Sequence, residues 1–280
     1  MSIQEAKIQV GNLEWFYRYT EVAGDRPPVL LIHGIPTHSY TWRELISLLA
    51  EQNLGAIAPD WIGFGFSDKP NKRDFAYTPE AFLTALTDLI ETLELKKLYL
   101  VVQGFLGSVG LQYALQHPEA IESLIVLNTP LAATAKIPWR MKQISIPVAG
   151  DMMVQDPLIV DRTLEQGSGF VIPNADLAKH RQPFLKTSAV GRALRTTIQK
   201  LDLTKTTASI EQGLQQWQQP TLFVWGMSDP WLETLPVKQL ADSMTEAQFV
   251  ELSEAKHYPQ EHWSKEISEA IAQFLRRKIF

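Results

Sequence analysis

The sequence predicts an α/β fold in which helices cover both faces of a mostly parallel sheet of eight strands. Short apolar runs of strand length alternate with segments of helical periodicity, a rhythm typical of parallel strands joined by right-handed crossovers. The runs at 28–32 and 98–102 are apolar on both faces, as expected of strands covered on both sides. The rhythm stops at Asn128 and resumes at Pro220, which indicates a helical insertion after the sixth strand.

The individual elements follow from local patterns. Residues 5–22 carry Gly11 and Asn12 between two runs with aromatic and β-branched residues, which predicts an antiparallel hairpin leading into the sheet. Thr78 and Pro79 fit the N-cap and first position of a helix. We expect the other strands at 28–32, 54–59, 98–102, 123–127, 220–225 and 248–252, and helices at 41–50, 78–94, after Gly104, at 236–243 and at 262–276.

The chain is long enough for one large hydrophobic core with a subordinate lobe. It has 280 residues, of which 45% are hydrophobic, and contains no low-complexity tract that would separate modules. We therefore predict a core domain of residues 1–130 and 212–280, with a helical cap of residues 131–211.

Composition excludes several classes of function. The net charge is −5 and the basic residues are dispersed, so a nucleic-acid partner is not expected. Without cysteine there is no disulfide, thiol nucleophile or thiolate metal site. Four histidines lack metal-ligand spacing and are expected at the surface: His38, His117, His180 and His262. The Gly104–Gly110 run lacks the Gly-x-Gly start of a dinucleotide-binding loop, and no acidic residue ends the next strand. We therefore expect no nucleotide cofactor, and we expect no metal or other cofactor.

No segment has the charge and hydropathy pattern of a signal peptide or reaches the roughly 18 apolar residues of a membrane span. A cytoplasmic protein without an integral membrane segment is the expectation.

A strand, a sharp turn and a helix at residues 98–117 form the centre of the candidate site. Asp229 follows the strand at 220–225, and His257 lies in the loop after the last strand. In hydrolases of this architecture, the acid and then the histidine follow such a nucleophile elbow in the chain. The carboxylate would fix one ring nitrogen of the imidazole and leave the other as a base. Asp229 and His257 are thus the predicted catalytic pair.

The motifs resemble those of the haloalkane dehalogenase and epoxide hydrolase group of α/β-hydrolases, over essentially the whole chain. They are HGIPTHSYTWRELI, PDWIGFGFSDKP, the elbow with QHPEAI, WGMSD and HYPQE. The resemblance implies an α/β-hydrolase fold with a cap after strand six and a small apolar molecule bound beneath it. The VVQG sequence at the elbow further resembles a branch associated with cyanobacteria and plastids.

Two departures from the dehalogenase pattern concern the chemistry itself. The family's elbow reads His-Asp-Trp-Gly with Asp as nucleophile, whereas the aligned residues here are Gln103, Gly104, Phe105 and Leu106. The family's halide donors, a Trp and an Asn, correspond to Phe105 and Ile35, whose side chains cannot donate a hydrogen bond. We therefore do not expect dehalogenation by the usual route. The backbone N–H groups of Ile35 and Phe105 remain candidates for an oxyanion hole.

The position of the turn has two interpretations. With Gly104 at the apex, Gly110, Ala114 and Pro118 fall where related sequences place small residues and the helix end. A glycine there would adopt positive φ without strain. The alternative places Ser108 at the apex, flanked by Gly107 and Gly110, and would make the protein a serine hydrolase.

Three further residues are predicted to line the pocket: His33, Gln103 and Trp139. A histidine at a strand end can instead bind the backbone of the adjacent loop, and for His33 we favour that structural role.

Three functional hypotheses remain open. In the first, His257, oriented by Asp229, activates water or removes a proton from a small apolar substrate. In the second, the protein is a catalytically silent relative that binds a hydrophobic ligand or a protein partner. In the third, Ser108 is the nucleophile.

Overall fold

The computed structural model describes residues 2–21 and 26–276, and their eight strands form one sheet. The spatial order is β1-β2-β4-β3-β5-β6-β7-β8. The first two strands form the predicted antiparallel hairpin, β2 runs antiparallel to β4, and the remaining pairs are parallel. The strands are β1 (Gln4–Val10), β2 (Leu13–Tyr19), β3 (Val29–Ile32), β4 (Ala56–Pro59), β5 (Leu98–Gln103), β6 (Ile121–Leu127), β7 (Thr221–Gly226) and β8 (Ala247–Leu252). The predicted fold class is confirmed.

Eleven α-helices accompany the sheet in the described residues. They are α1 (Arg43–Glu51), α2 (Pro79–Thr92), α3 (Gly104–Gln116), α4 (Trp139–Gln143), α5 (Ala149–Met153), α6 (Ile159–Ser168), α7 (Asn174–Lys186), α8 (Ala189–Lys200), α9 (Leu203–Gln215), α10 (Thr234–Ser243) and α11 (Ser264–Arg276). Thr78 caps α2 as predicted, because its hydroxyl accepts a hydrogen bond from the Ala81 amide at 3.3 Å.

Two hydrophobic cores lie on opposite faces of the sheet, since side chains alternate along each strand. In β3, Leu30 and Ile32 pack with α2 and α3, whereas Val29 and Leu31 pack with α1 and α11. All four side chains are buried. This double coverage explains why β3 is apolar at every position.

Helices α4–α9 form the insertion between β6 and β7, as the sequence indicates. The predicted domain boundary between residues 211 and 212 falls inside α9. That helix packs on α3 at Gly213, where an added Cβ would lie 2.6 Å from Leu115 Cδ1. The chain thus returns from the insertion to the sheet along one continuous helix, and the division into core and cap domains stays a prediction.

Within residues 2–21 and 26–276, no helix combines the length and the hydropathy that crossing a bilayer requires.

Candidate active site

The turn between β5 and α3 places Gly104 at its apex. β5 ends at Gln103, and Gly104 opens α3 with φ of +73°, a conformation that L side chains rarely adopt. The backbone of Gly34 packs against this turn so closely that a Cβ on Gly104 would lie 2.9 Å from Gly34 Cα. Both the dihedral angle and the packing therefore favour glycine at this position.

Ser108 lies one turn further along α3 and is fully buried. Its hydroxyl donates to the carbonyl oxygen of Phe105 at 2.8 Å. The structure therefore places Ser108 inside the helix, with its proton committed to the helix backbone, and not at the turn.

His257 and Asp229 are brought together as predicted. The Nδ1 atom of His257 lies 2.9 Å from Asp229 Oδ2, and both side chains are completely buried. Three further donors fix the carboxylate: the Asn128 side-chain amide at 2.8 Å, and the backbone amides of Trp231 and Leu232 at 2.8 and 3.2 Å. The acid therefore has a single orientation, and it holds the imidazole in one tautomer.

The second ring nitrogen of His257 faces the elbow. A Cβ built on Gly104 would lie 3.6 Å from His257 Nε2. Among the described residues this buried nitrogen has no hydrogen-bond partner. A buried polar atom without a partner is costly, and such atoms are frequent at functional sites.

An aromatic shell surrounds the imidazole. The ring centroids of Trp231, Tyr258 and Phe105 lie 4.7, 4.9 and 5.1 Å from that of His257. Tyr258 is buried and donates its hydroxyl proton to Ile35 O at 2.9 Å. Burial, followed by the charge of Asp229, raises the pKa of Tyr258 well above its usual value, so this hydroxyl remains a donor.

The insertion covers this shell directly. The Tyr258 amide donates to the carbonyl oxygen of Gly167 in α6 at 3.0 Å. A Cβ on Gly167 would lie 2.6 Å from Tyr258 Cε2 and 2.8 Å from the Trp231 ring. The close fit of α6 leaves Gly104, Phe105 and His257 buried.

The two candidate oxyanion amides flank the turn. Phe105 is the second residue of α3, so its N–H has no acceptor within the helix. Ile35 precedes Pro36 through a cis peptide bond, and its carbonyl is held by Tyr258. Both residues are buried beside Gly34 and Gly104. Their role as an oxyanion hole stays a prediction.

His33 and Gln103 make structural contacts. His33 Nδ1 donates to Gly34 O at 2.7 Å, and its Nε2 accepts from the Trp61 amide at 3.0 Å. Burial lowers the pKa of His33 to about 4, which keeps the ring neutral as these bonds require. Gln103 donates to the backbone carbonyl of His257 at 2.7 Å and so ties the elbow to the histidine loop.

Trp139 does not line the site, so that prediction is corrected. Its side chain is 67% exposed at the start of α4. Met141 and Ile144 occupy the buried side of this short segment instead. An aromatic residue is usually a core former, but a five-residue helix at the surface buries only one side.

A buried charge network that the sequence analysis missed joins the histidine loop to the insertion. Glu261 contacts His180 of α7 at 3.0 Å and Arg43 at 2.8 Å, and Arg43 reaches Asp176 of α7 at 3.1 Å. Burial alone would raise the pKa of Glu261, but His180, Arg43 and the Thr41 hydroxyl lower it to about 2.

Two expectations about surface histidines are also wrong, because His180 is buried in this network and His38 is buried beside Asp60. Their partners are distant in sequence. The described residues contain no group of three or more metal-ligating side chains that could hold a metal ion.

Among the residues that contact Asp229 or the imidazole of His257, the sequence analysis did not identify Asn128, Trp231 and Tyr258. Asn128 is the first polar residue after β6, where parallel strands commonly place functional groups. This position directly after a parallel strand was the sequence signal that could have identified Asn128 as a site residue. Trp231 and Tyr258 follow Asp229 and His257 closely, but nothing in their spacing shows that they pack on the imidazole.

A family model described as alpha/beta hydrolase fold matches residues 27–262. A haloalkane dehalogenase of Mycobacterium marinum is 32% identical over 224 residues, covering 76% of this chain and 72% of that relative. An uncharacterised protein of Mycobacterium tuberculosis is 29% identical over 209 residues, covering 74% of this chain. The match spans only 57% of the length of that mycobacterial relative.

Solved structures share the fold. The haloalkane dehalogenase DbeA from Bradyrhizobium elkanii superposes with a TM-score of 0.88 at 23% identity, over 98% of each chain. DatA from Agrobacterium tumefaciens, also a haloalkane dehalogenase, gives a TM-score of 0.84 at 21% identity, over 98% of this chain and 97% of its own. These structures show the fold, and the family match together with the Mycobacterium marinum relative shows that the chain belongs to the α/β-hydrolase fold family, in its haloalkane dehalogenase-like group.

Proposed function

We propose that the protein is a hydrolase in which His257, oriented by Asp229, activates water against a small hydrophobic electrophile without a covalent enzyme intermediate. The observation that carries the proposal is the environment of His257 Nε2. It is buried, lacks a partner and faces the Gly104 turn, while the other ring nitrogen is held at 2.9 Å from Asp229. This is the arrangement that a general base requires.

The proposed reaction consumes one water molecule. His257 Nε2 takes a proton from the water, whose oxygen bonds to the electrophilic carbon of an ester or epoxide. The bond from that carbon to the leaving oxygen breaks, and the imidazolium returns the proton to that oxygen. For an ester, the amides of Ile35 and Phe105 would stabilise the oxyanion formed in between.

The dehalogenation of the Mycobacterium marinum relative is not proposed for this chain. Gly104 provides no carboxylate to attack carbon, and the side chains of Phe105 and Ile35 offer no halide donor. The aromatic shell of Phe105, Trp231 and Tyr258 favours an apolar substrate. Because the site is fully enclosed, substrate entry would involve movement of the insertion or of Trp231, a step typical of lidded enzymes.

A panel of esters, epoxides and haloalkanes tests this function. Wild-type protein is expected to hydrolyse at least one ester or epoxide, and His257→Ala should lower kcat by about 10²–10⁴-fold because it removes the general base. Two controls should retain activity: His262→Ala, which removes an exposed histidine of the same loop region, and Ser108→Ala. Loss of activity in Ser108→Ala would favour the serine hydrolase alternative instead.

The second candidate is a catalytically silent relative that binds a hydrophobic ligand or a protein. The complete burial of Gly104, Phe105 and His257 favours it, since no substrate reaches the base in this closed conformation. Wild-type protein without turnover on every panel member would support this candidate. Turnover that disappears in His257→Ala would exclude it. A cytoplasmic location is proposed for either case.

A further inference from the structure

The insertion exposes a group of large apolar side chains on its outer side. Val148, Met152 and Trp139 are 72%, 69% and 67% exposed, and Ile146 is 41% exposed. They lie in α4, in α5 and in the loop between these two short helices. Four large apolar side chains exposed within a stretch of 14 residues are more than scattered surface positions, and exposed apolar surface often marks an interaction site.

The loop between α4 and α5 holds its tip in a strained turn. Val148 has φ of +64° and ψ of −57°, and the Ala149 amide donates to the Pro147 carbonyl at 2.7 Å. These are the features of the rare γ-turn with positive φ, which is unfavourable for a β-branched residue. All four residues of 146–149 are exposed. Strain of this kind clusters at functional positions such as ligand clamps and switch regions.

Basic side chains flank this tip. Lys136, Arg140 and Lys142 are exposed, and residues 131–150 contain no aspartate or glutamate. The first acidic residue beyond them, Asp151, is paired with Arg195 at 3.2 Å. The positive charge of this segment contrasts with the net charge of −5 of the whole chain.

The positive surface continues into a groove of about 1000 Å³ between the loop at 69–78 and α8. Its lining contains six basic residues, among them Lys72, Arg73, Arg192 and Lys200, and two acidic residues, Asp74 and Asp151. Gln199 lines both this groove and the one beside Trp139, and its side chain donates to the carbonyl of Ser145 at 2.9 Å.

We propose that this surface, the insertion face, docks on an anionic lipid bilayer. We define the insertion face as Lys136, Trp139, Arg140, Lys142, Ile146, Val148 and Met152. Its exposed tryptophan and aliphatic tip suit the boundary between headgroups and acyl chains, and its cations suit anionic headgroups. A second copy of the chain is a poorer occupant, because two such faces would place their positive charges together. The inference is independent of the proposed catalysis, since the insertion face lies outside the candidate site.

Sedimentation with lipid vesicles tests the proposal on the full chain. The protein should bind vesicles of an equimolar mixture of phosphatidylcholine and phosphatidylglycerol, and bind pure phosphatidylcholine much more weakly. Sodium chloride should release it, because the attraction of surface charges is screened by salt. Equal binding to both vesicle types would contradict the electrostatic part of the proposal, and no binding to either would overturn it.

Surface variants separate the two contributions. Arg140→Gln with Lys142→Gln should weaken binding to the anionic vesicles roughly 30-fold, from the usual contribution of each charge near a membrane. Val148→Ser with Met152→Ser should weaken it by about tenfold or more through lost apolar insertion. Leu235→Ser is the matched control, because this residue is 65% exposed on α10, outside the insertion, and should leave binding unchanged. Variants of the insertion face that bind as well as wild type would overturn the assignment.

Tryptophan fluorescence locates the contact. Vesicle binding should shift the emission of the wild-type protein to shorter wavelength as Trp139 enters the interface, and Trp139→Phe should bind but lose most of this shift. A concentration-dependent dimer in solution that Val148→Ser abolishes, without vesicle binding, would assign the face to a second copy and contradict the proposal.

Discussion

A single glycine determines how the elbow of this protein can function. Gly104 combines positive φ with a backbone contact to Gly34, and the nitrogen of His257 faces the same point. Asp229 and its three additional donors keep that histidine oriented. At the residue scale, the buried Asp229–His257 pair therefore lies beside a turn that carries no side chain.

The substitution Gly104→Ala tests how tightly the turn is packed. It should lower the free energy of unfolding by about 3 kcal/mol, the sum of positive-φ strain and a Cβ 2.9 Å from Gly34 Cα. Gly11→Ala is the matched control, because Gly11 has φ of +56° but nothing within 4 Å of an added Cβ. It should cost only about 1 kcal/mol, the strain alone. If urea unfolding gave the same loss of free energy of unfolding for Gly104→Ala and Gly11→Ala, the backbone of Gly34 would not be tightly packed against the turn.

At the scale of elements, buried polar contacts join α7 of the insertion to the loop that carries His257. Glu261 follows His257 by four residues and pairs with His180 of α7, while Arg43 bridges Glu261 and Asp176. The histidine loop and one helix of the insertion therefore share a buried charge network. A change in one of these two elements is expected to reach the other through Glu261.

Glu261→Gln should lower the free energy of unfolding by about 3 kcal/mol at neutral pH, because it leaves the largely buried Arg43 guanidinium without the carboxylate that it contacts. The lowered pKa gives the same magnitude, since the shift from 4.5 to about 2 corresponds to about 3 kcal/mol. Glu119→Gln is the control, as this exposed carboxylate lies 3.7 Å from His117 and should cost less than about 0.5 kcal/mol.

The difference in the free energy of unfolding between wild type and Glu261→Gln should depend on pH, because the pKa of Glu261 is lowered in the folded protein. The folded protein holds the Glu261 proton less tightly than the unfolded chain, so this stabilisation is fully present above pH 4.5. It declines as the pH falls from 4.5 towards 2. Denaturation curves of wild type and Glu261→Gln should therefore converge over this range. A constant difference from neutral pH down to pH 2 would contradict the assignment to an ionised carboxylate.

At the scale of the whole molecule, the fold was predictable because its signals are local. The doubly apolar run of β3, the Gly11-Asn12 hairpin and the capped start of α2 each depend on neighbouring residues. The order of elbow, Asp229 and His257 then identified the pair that the structure joins at 2.9 Å. Chain order suffices here because the parallel strands end at one edge of the sheet.

Long-range packing could not be predicted in the same way. His180 and Glu261 are 81 positions apart, and their contact depends on how the insertion returns to the sheet. The same holds for Gly167 against Tyr258 and for Gly34 against Gly104. The prediction for Trp139 was wrong because burial on a short surface helix depends on which side meets the core, and two neighbouring apolar residues took that side.

The central claim is that His257 directs water to the substrate itself, with no covalent intermediate on the protein. Intact-protein mass spectrometry of the enzyme, quenched by acid during turnover of the ester or epoxide that the panel identifies, tests it most directly. We expect the mass of the protein to be unchanged at every quench time while product accumulates. A transient increase in protein mass by the acyl or alkyl group of the substrate would contradict it.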